Sequence, residues 1–400
     1  MIISKLSSKL FFVCLGLFLA LFRVYLIPYT TFKALSFMIL LVYLFLFGHN
    51  KKVLYHSRYA LLLAGIIFFT TVYASRNLVG LFNGSLYGLQ FFVVFLFTNH
   101  MVYKYGIRQC IKNYLQCSLL LTALMDISVL LNMDLDPSHY QNLITYLFGN
   151  KFMVAYLHMI TLGFLGAYWY IEKNKISLNH KIGYIVYGIF SIFMSGYAKC
   201  STGVIGNFVV LILVIMPLNI KIKDFFRKPG NMFIILLIGN AMLLGGGLIL
   251  EIPGVKYLIV NILHEDLTLT GRFWIYGQLR DVISSNLWFG HGYNSDTMTK
   301  LIGYGNAQNG ILQYVLDCGV IGVFIFLLNW FHCLKTAKNT GHIVWPIYGL
   351  IYAFIISSLV EVSFKIPFLM ALSLLLSIGV STTEYKSNIN MEIREKHSMG

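Results

Sequence analysis

Long apolar runs separated by short polar connections repeat along the whole chain. Taking about 17 to 25 mostly apolar residues as one bilayer crossing, this pattern predicts about twelve spans. They cover residues 10–27, 32–48, 59–74, 85–103, 113–131, 152–171, 182–198, 202–219, 232–250, 310–331, 343–360 and 366–382. The one long connection, 251–309, falls on the outer face, before the tenth span. The predicted fold is therefore an all-α polytopic membrane protein, a single integral domain over 1–400 with that outer loop inside it.

Basic residues test the count independently. With both termini cytoplasmic, the inner segments hold Lys5 and Lys9; Lys51, Lys52 and Arg58; Lys104, Arg108 and Lys112; and Lys173, Lys175 and Lys181. Further on they hold Lys221, Lys223, Arg227 and Lys228, then Lys335 and Lys338, then Lys386, Arg394 and Lys396. Every proposed inner segment has at least two, as the bias of cytoplasmic loops toward Lys and Arg requires. Lys5 and Lys9 precede an apolar stretch as in a signal peptide, but a small-x-small cleavage site is missing and Arg23 interrupts the run, so an uncleaved first span is expected.

Composition agrees. At 58% hydrophobic and 11% charged the chain has too few polar side chains to coat a water-soluble surface, and collagenous, disordered and disulfide-scaffold classes are excluded. The net charge of +15 would point to nucleic acid on a soluble chain; here most of it is a topology signal, and no nucleic-acid partner is expected. Six cysteines lie in or beside apolar runs without C-x-x-C spacing and read as buried filler.

The basic residues that defy the inward bias carry more information: Arg23, Lys33, Arg76, Lys151, Lys199, Lys256, Arg272, Arg280, Lys300 and Lys365. Lys199 stands at the apex of a small-residue turn, Ser195-Gly196-Tyr197-Ala198-Lys199-Cys200-Ser201-Thr202-Gly203, whose backbone N–H groups suit a phosphate. A predicted amphipathic helix over 270–285 carries Arg272 and Arg280 eight residues apart, about 80° around the helix axis. Both can face one polyanion, for which guanidinium forks are suited, while Trp274 and Tyr276 offer faces for sugar stacking or interface anchoring. A turn-rich stretch follows, with His291 between Gly290 and Gly292. Gln308 and Asn309 then stand at the positive N-terminal end of the tenth span, and Asp317 lies two turns deeper.

In order, K-C-S-T-G, then T-G-R-F-W-I-Y and L-W-F-G-H-G-Y-N-S, then N-A-Q-N-G-I-L-Q-Y-V-L-D-C-G-V-I-G resemble the O-antigen ligase and Wzy-type polysaccharide polymerase superfamily. That family pairs S-R-x-x before a span with G-R-x-x-x-W and G-x-G in an outer loop and H-N-x-x-L-x-x-x-x-x-G-x-x-G entering the next helix. The resemblance implies a membrane-embedded glycosyltransferase whose partner is an undecaprenyl-pyrophosphate-linked oligosaccharide, working in membrane lipid at the outer face of the cell membrane beside other envelope polysaccharide-assembly proteins. A hydroxyl of one glycan attacks the anomeric carbon of another and lipid pyrophosphate departs. The donor is already activated, so neither metal nor other cofactor is implied.

Lys199, Arg272 and Arg280 are then the expected catalytic clamp on pyrophosphate, with Gln308, Asn309, Trp274, Tyr276 and Glu361 around the sugars. Two positions depart from the family. Lys199 replaces an arginine, keeping the charge without the fork. Gln308 replaces a histidine and cannot take a proton, which leaves His291 as the expected base and Glu361 as a further candidate. Polymerase activity on surface-polysaccharide repeat units is the leading expectation. The alternatives are ligase-like transfer to another acceptor, a lipid-linked oligosaccharide flippase or transporter, or a structural partner without activity of its own.

Overall fold

The structure is a computed structural model describing residues 2–136, 144–173, 178–244, 253–257, 261, 272–338, 340 and 344–398. Those residues form helices and connections, with one isolated bridge, Tyr146 to Gly149, and no strand among them. The helices before the long connection are α1 (Ile2–Leu21), α2 (Tyr29–Phe47), α3 (Lys51–His56), α4 (Arg58–Ser75), α5 (Leu78–Tyr105), α6 (Ile107–Leu130), α7 (Lys151–Lys173), α8 (Leu178–Tyr197), α9 (Ser201–Ile215), α10 (Ile220–Arg227) and α11 (Pro229–Leu244). Within it lie α12 (Pro253–Tyr257), α13 (Arg272–Ser285) and α14 (Thr297–Ile302), and after it α15 (Gly310–Ala337), α16 (Trp345–Ser358) and α17 (Ile366–Ser398).

Each of the twelve apolar runs meets a helix within its described residues. Seven of these are long and apolar enough to cross a membrane: α2, α4, α5, α6, and parts or all of α7, α15 and α17. Four further apolar stretches are shorter, Ser8–Leu21, Ser201–Ile215, Pro229–Leu244 and Trp345–Ser358. The remaining helix, α8, opens on the polar run Asn179-His180-Lys181. The first run was expected to continue to residue 27, but α1 stops at Leu21, and a turn carrying Arg23 leads to Pro28, which starts α2. Residues 245–250 and 270–271, parts of the predicted ninth span and loop helix, lie outside the described residues.

Apolar side chains gain little by leaving lipid for one another, so close packing and polar contacts hold membrane helices together. The α4–α5 contact uses small residues: a Cβ added at Gly84 or Gly88 would come within 3.0 Å of the Phe68 or Ala64 carbonyl oxygen of α4. Polar contacts join helices far apart in sequence. Thr98 Oγ1 lies 2.6 Å from the Tyr114 hydroxyl and 2.9 Å from Ser373 Oγ, and Asn99 bridges Ser57 and Ser377 at 2.8 and 2.6 Å. Between α6, α7 and α8, His158 Nε2 lies 2.9 Å from Asp126 Oδ1 and its Nδ1 3.2 Å from Ser191 Oγ. All six cysteines are buried and unbridged.

The tenth run looks continuous in sequence, yet α15 is broken at Gly319, whose φ is +66°. A break inside a spanning helix strands carbonyl and N–H groups that lipid cannot satisfy. The connection 287–292 supplies them. His291 and Gly292 N–H groups donate to the Leu316 and Asp317 carbonyls at 2.7 and 2.9 Å, while Val320 and Ile321 donate to the Leu287 and Trp288 carbonyls at 2.9 and 3.4 Å. Only glycine fits this seam: a Cβ on Gly319 would fall 2.1 Å from the Trp288 oxygen, and one on Gly290, at φ +67°, 2.6 Å from the Asp317 backbone.

Candidate functional site

Helix ends from several parts of the chain enclose a cavity of about 520 Å³. The α1–α2 turn and the first residue of α2 contribute Arg23, Tyr25 and Tyr29, the first half of α5 gives Tyr87 and Gln90, α7 and the residue before it give Tyr156 and Asn150, and the segment after α6 gives Asp136. Tyr293, Asn294, Asn306 and Gln308 come from the long connection, and Glu361 and Lys365 from the link between α16 and α17. A smaller pocket of about 70 Å³ adjoins it, sharing Tyr293, Asn294, Asn306 and Lys365 and reaching Asp317 and Gln313 of α15. Asp317 Oδ1 accepts a hydrogen bond from Gln313 Nε2 at 2.9 Å.

Glu361 is 3% exposed. Its Oε1 accepts the Val362 N–H at 2.9 Å, and its Oε2 has no hydrogen-bond partner within the protein. Burial pushes this carboxyl above the usual carboxylate range, against the Val362 N–H and the pull of Arg272, Lys365 and Lys151. Two more buried polar atoms on the same cavity lack a protein partner, the Tyr156 hydroxyl and Arg23 Nε. Leaving a buried polar group unpaired costs about 1–3 kcal/mol, a cost that a polar molecule reaching these three atoms would offset. The Arg23 guanidinium is held over the Tyr25 and Tyr29 rings at 3.8 and 4.5 Å.

Arg272, at the start of α13, donates from Nε to the Val360 carbonyl at 2.8 Å. Tyr276, one turn on, donates its hydroxyl to the Gln308 carbonyl at 3.0 Å, with the Leu359 carbonyl at 3.4 Å. Burial raises the Tyr276 hydroxyl well above its ordinary value, so it stays a donor. The sequence places both residues here because α13 is amphipathic: Ile275, Leu279 and Val282 pack on Met298, Ala307 and Leu316, leaving Arg272 and Tyr276 at the edge beside the 359–361 backbone. Gln308 and Asn294 both hold left-handed backbone, at φ +50° and +55°, as they turn toward the cavity. For a non-glycine residue that conformation is uncommon and concentrates at functional positions.

The other expected site residues lie elsewhere. Asn309 caps α15: its Oδ1 accepts the Ile311 and Leu312 N–H groups, both at 3.0 Å, and its Nδ2 donates to Asn240 Oδ1 and the Leu359 carbonyl. Its amide is thus spent on the fold. His291 does not line the cavity; its Nε2 lies 2.9 Å from the Val282 carbonyl, to which it can only donate, and its N–H closes the Gly319 seam. Lys199 is exposed at a left-handed turn, and Arg280 is exposed over a separate depression with Leu244, Ile283 and Leu312. Trp274 is 53% exposed and lies tilted against Tyr304, with ring centroids 5.7 Å apart. Of the expected clamp, Arg272 alone adjoins the Glu361 segment.

Cations at the cavity come instead from Arg23 and Lys365, both visible in sequence as charges against the inward bias but given no role there. Tyr156 gave no signal, since a tyrosine in an apolar run reads as core. No protein-family model matches the chain, and no curated protein matches it.

Proposed function

We propose that this protein is a membrane-embedded glycosyltransferase that joins undecaprenyl-pyrophosphate-linked repeat units of a surface polysaccharide. It is one integral domain that crosses the cell membrane about twelve times, with both termini cytoplasmic and 251–309 as the outer loop, so the cavity opens outward. The observation that carries this reading is the cavity's lining: tyrosine faces and amides suited to sugars, the cations Arg23 and Lys365 suited to pyrophosphate, and two carboxylates, Asp136 and the buried Glu361, on one chamber. Support also comes from the ordered motifs, of which Gln308 lines the same cavity and Arg272 is hydrogen-bonded to the Val360 backbone next to Glu361. Such a chamber aligns donor with acceptor and compensates charge gathering on the departing pyrophosphate. Lys199, Arg280, Trp274 and Asn309 have no direct part in this chemistry; they bear on the fold or the surrounding surface.

The test is reconstitution of the purified protein in nanodiscs with lipid-linked repeat units. A ladder of longer glycans on the lipid carrier is the expected product. Transfer only to a different acceptor would make it a ligase, and movement of intact substrate across liposomes without new linkages would make it a transporter.

A further inference from the structure

Sugar hydroxyls both donate and accept hydrogen bonds, so a site that holds one for attack must offer an acceptor and a donor side by side. Glu361 Oε2 and the Tyr156 hydroxyl supply one of each on the same cavity. Both are buried, at 3% and 4% residue exposure, both lack a partner within the protein, and both line the 520 Å³ cavity. They come from different elements, the α16–α17 link and the first turns of α7, within electrostatic reach of each other. Glu361 is fixed through its other oxygen by the Val362 N–H, so the free oxygen has a defined direction.

We infer that Glu361 and Tyr156 form the subsite for the attacking sugar hydroxyl, with Glu361 as the catalytic proton acceptor and Tyr156 as a positioning residue; the assignment rests on the glycosyltransferase reading above. The hydroxyl donates to Glu361 Oε2 and accepts from the Tyr156 O–H. As its oxygen forms the new bond to the anomeric carbon, its proton passes to Glu361. The anomeric C–O bond to phosphate breaks, and its electron pair leaves on the lipid pyrophosphate, which faces Arg23 and Lys365. Glu361 returns the proton to water before the next transfer.

The groups around this carboxyl are Arg272 and Tyr276 from α13, Lys151 and Tyr156 from α7, Lys365 from its own link and Cys200 from the α8–α9 turn. A base works only deprotonated, so activity falls as pH drops through its pKa. Burial, which outweighs the neighbouring cations, moves that acid limb above the range of an exposed carboxylate.

The experiment uses the full chain in nanodiscs, a lipid-linked repeat unit as donor and a lipid-free repeat-unit oligosaccharide as acceptor. Glu361→Gln should lower kcat by about a hundredfold or more, within the span of general-base contributions, while donor binding stays unchanged. Formate should restore part of the rate to Glu361→Ala, which no purely structural role predicts. Tyr156→Phe should raise the KM for acceptor more than it lowers kcat and leave the acid limb in place. Near-normal kcat in Glu361→Gln, or donor binding by Glu361→Ala without formate rescue, overturns the proton-acceptor assignment while wild-type product keeps the glycosyltransferase reading. Unchanged acceptor KM in Tyr156→Phe removes Tyr156 from the subsite. Wild-type protein that binds donor but makes no glycosidic product overturns both readings together.

Discussion

Arg272 Nε is hydrogen-bonded at 2.8 Å to the carbonyl of Val360, the residue immediately before Glu361. The guanidinium thus fastens α13 to the backbone that carries the buried carboxylate. Hydrogen bonds to charged groups contribute about 1.5–3 kcal/mol, so Arg272→Ala should lower polymer formation roughly tenfold to a hundredfold. Arg272→Lys keeps charge but lacks the planar Nε donor and should recover only part of it. Turnover at matched protein concentration is the measurement; equal, near-normal rates in both variants would remove Arg272 from the site.

Cation positions separate this chamber from the clamp expected on motifs. Arg23→Gln should weaken donor use by about tenfold or more, as for a charge-assisted contact to phosphate. Lys199→Ala and Arg280→Ala, both exposed and off the cavity, should stay within about twofold. Titration of lipid-linked donor against each variant checks this, and a large loss at Lys199 or Arg280 with none at Arg23 would restore the motif-based clamp.

His291 is expected to matter for stability instead of proton transfer. Removing its side-chain bond to Val282 in His291→Ala should cost about 1 kcal/mol, seen as a lower Tm in detergent. The acid limb of the rate profile should not move. Loss of that limb in a folded His291→Ala protein would make the histidine the base.

The Gly319 seam gives a sharper stability test. Gly319→Ala puts a methyl group 2.1 Å from the Trp288 oxygen, and a carbonyl cannot yield as a flexible side chain would. Destabilisation of more than about 3 kcal/mol, above the usual overpacking range, is expected. Folded yield after size exclusion reports it; an Ala variant as stable as the parent would contradict the seam.

Topology is testable with introduced cysteines in a background free of the native ones. Ser295→Cys should react with an impermeant thiol reagent in intact cells, whereas Lys223→Cys and Lys335→Cys should react only after permeabilisation. The reverse pattern would turn the protein over and put the cavity inside.

Helix positions were legible because each apolar run is local information: a helix satisfies its own backbone, and lipid demands that it do so. Ends were less legible. The first run reads through Arg23 toward residue 27, but a guanidinium at the edge of the apolar layer and the coming Pro28 end α1 at Leu21. The Gly319 break left no trace, since Val320 to Leu328 stays apolar beyond it and the partner that satisfies it lies some thirty residues earlier. The cavity was only partly legible for the same reason. Gln308 and Glu361 stood out as polar residues at span ends, and Arg23 and Lys365 as misplaced charges, but nothing in a linear pattern brings α1, α7 and the α16–α17 link to one chamber. His291 misled because a histidine between glycines looks free, whereas its neighbours are glycines so that backbone can meet backbone.

That seam has a mechanical consequence. The half of α15 before Gly319 follows directly on Gln308 and its cap Asn309 and carries Asp317 near its end, and four backbone hydrogen bonds weld its last turn and the turn beyond to the strip that runs on into Tyr293 and Asn294. Rim, inner pocket and one side wall of the chamber therefore travel as a single rigid plate. A ligand group pressing on Asn294 and one pressing on Gln308 would push the same lever, so seating the first would set the geometry offered to the second.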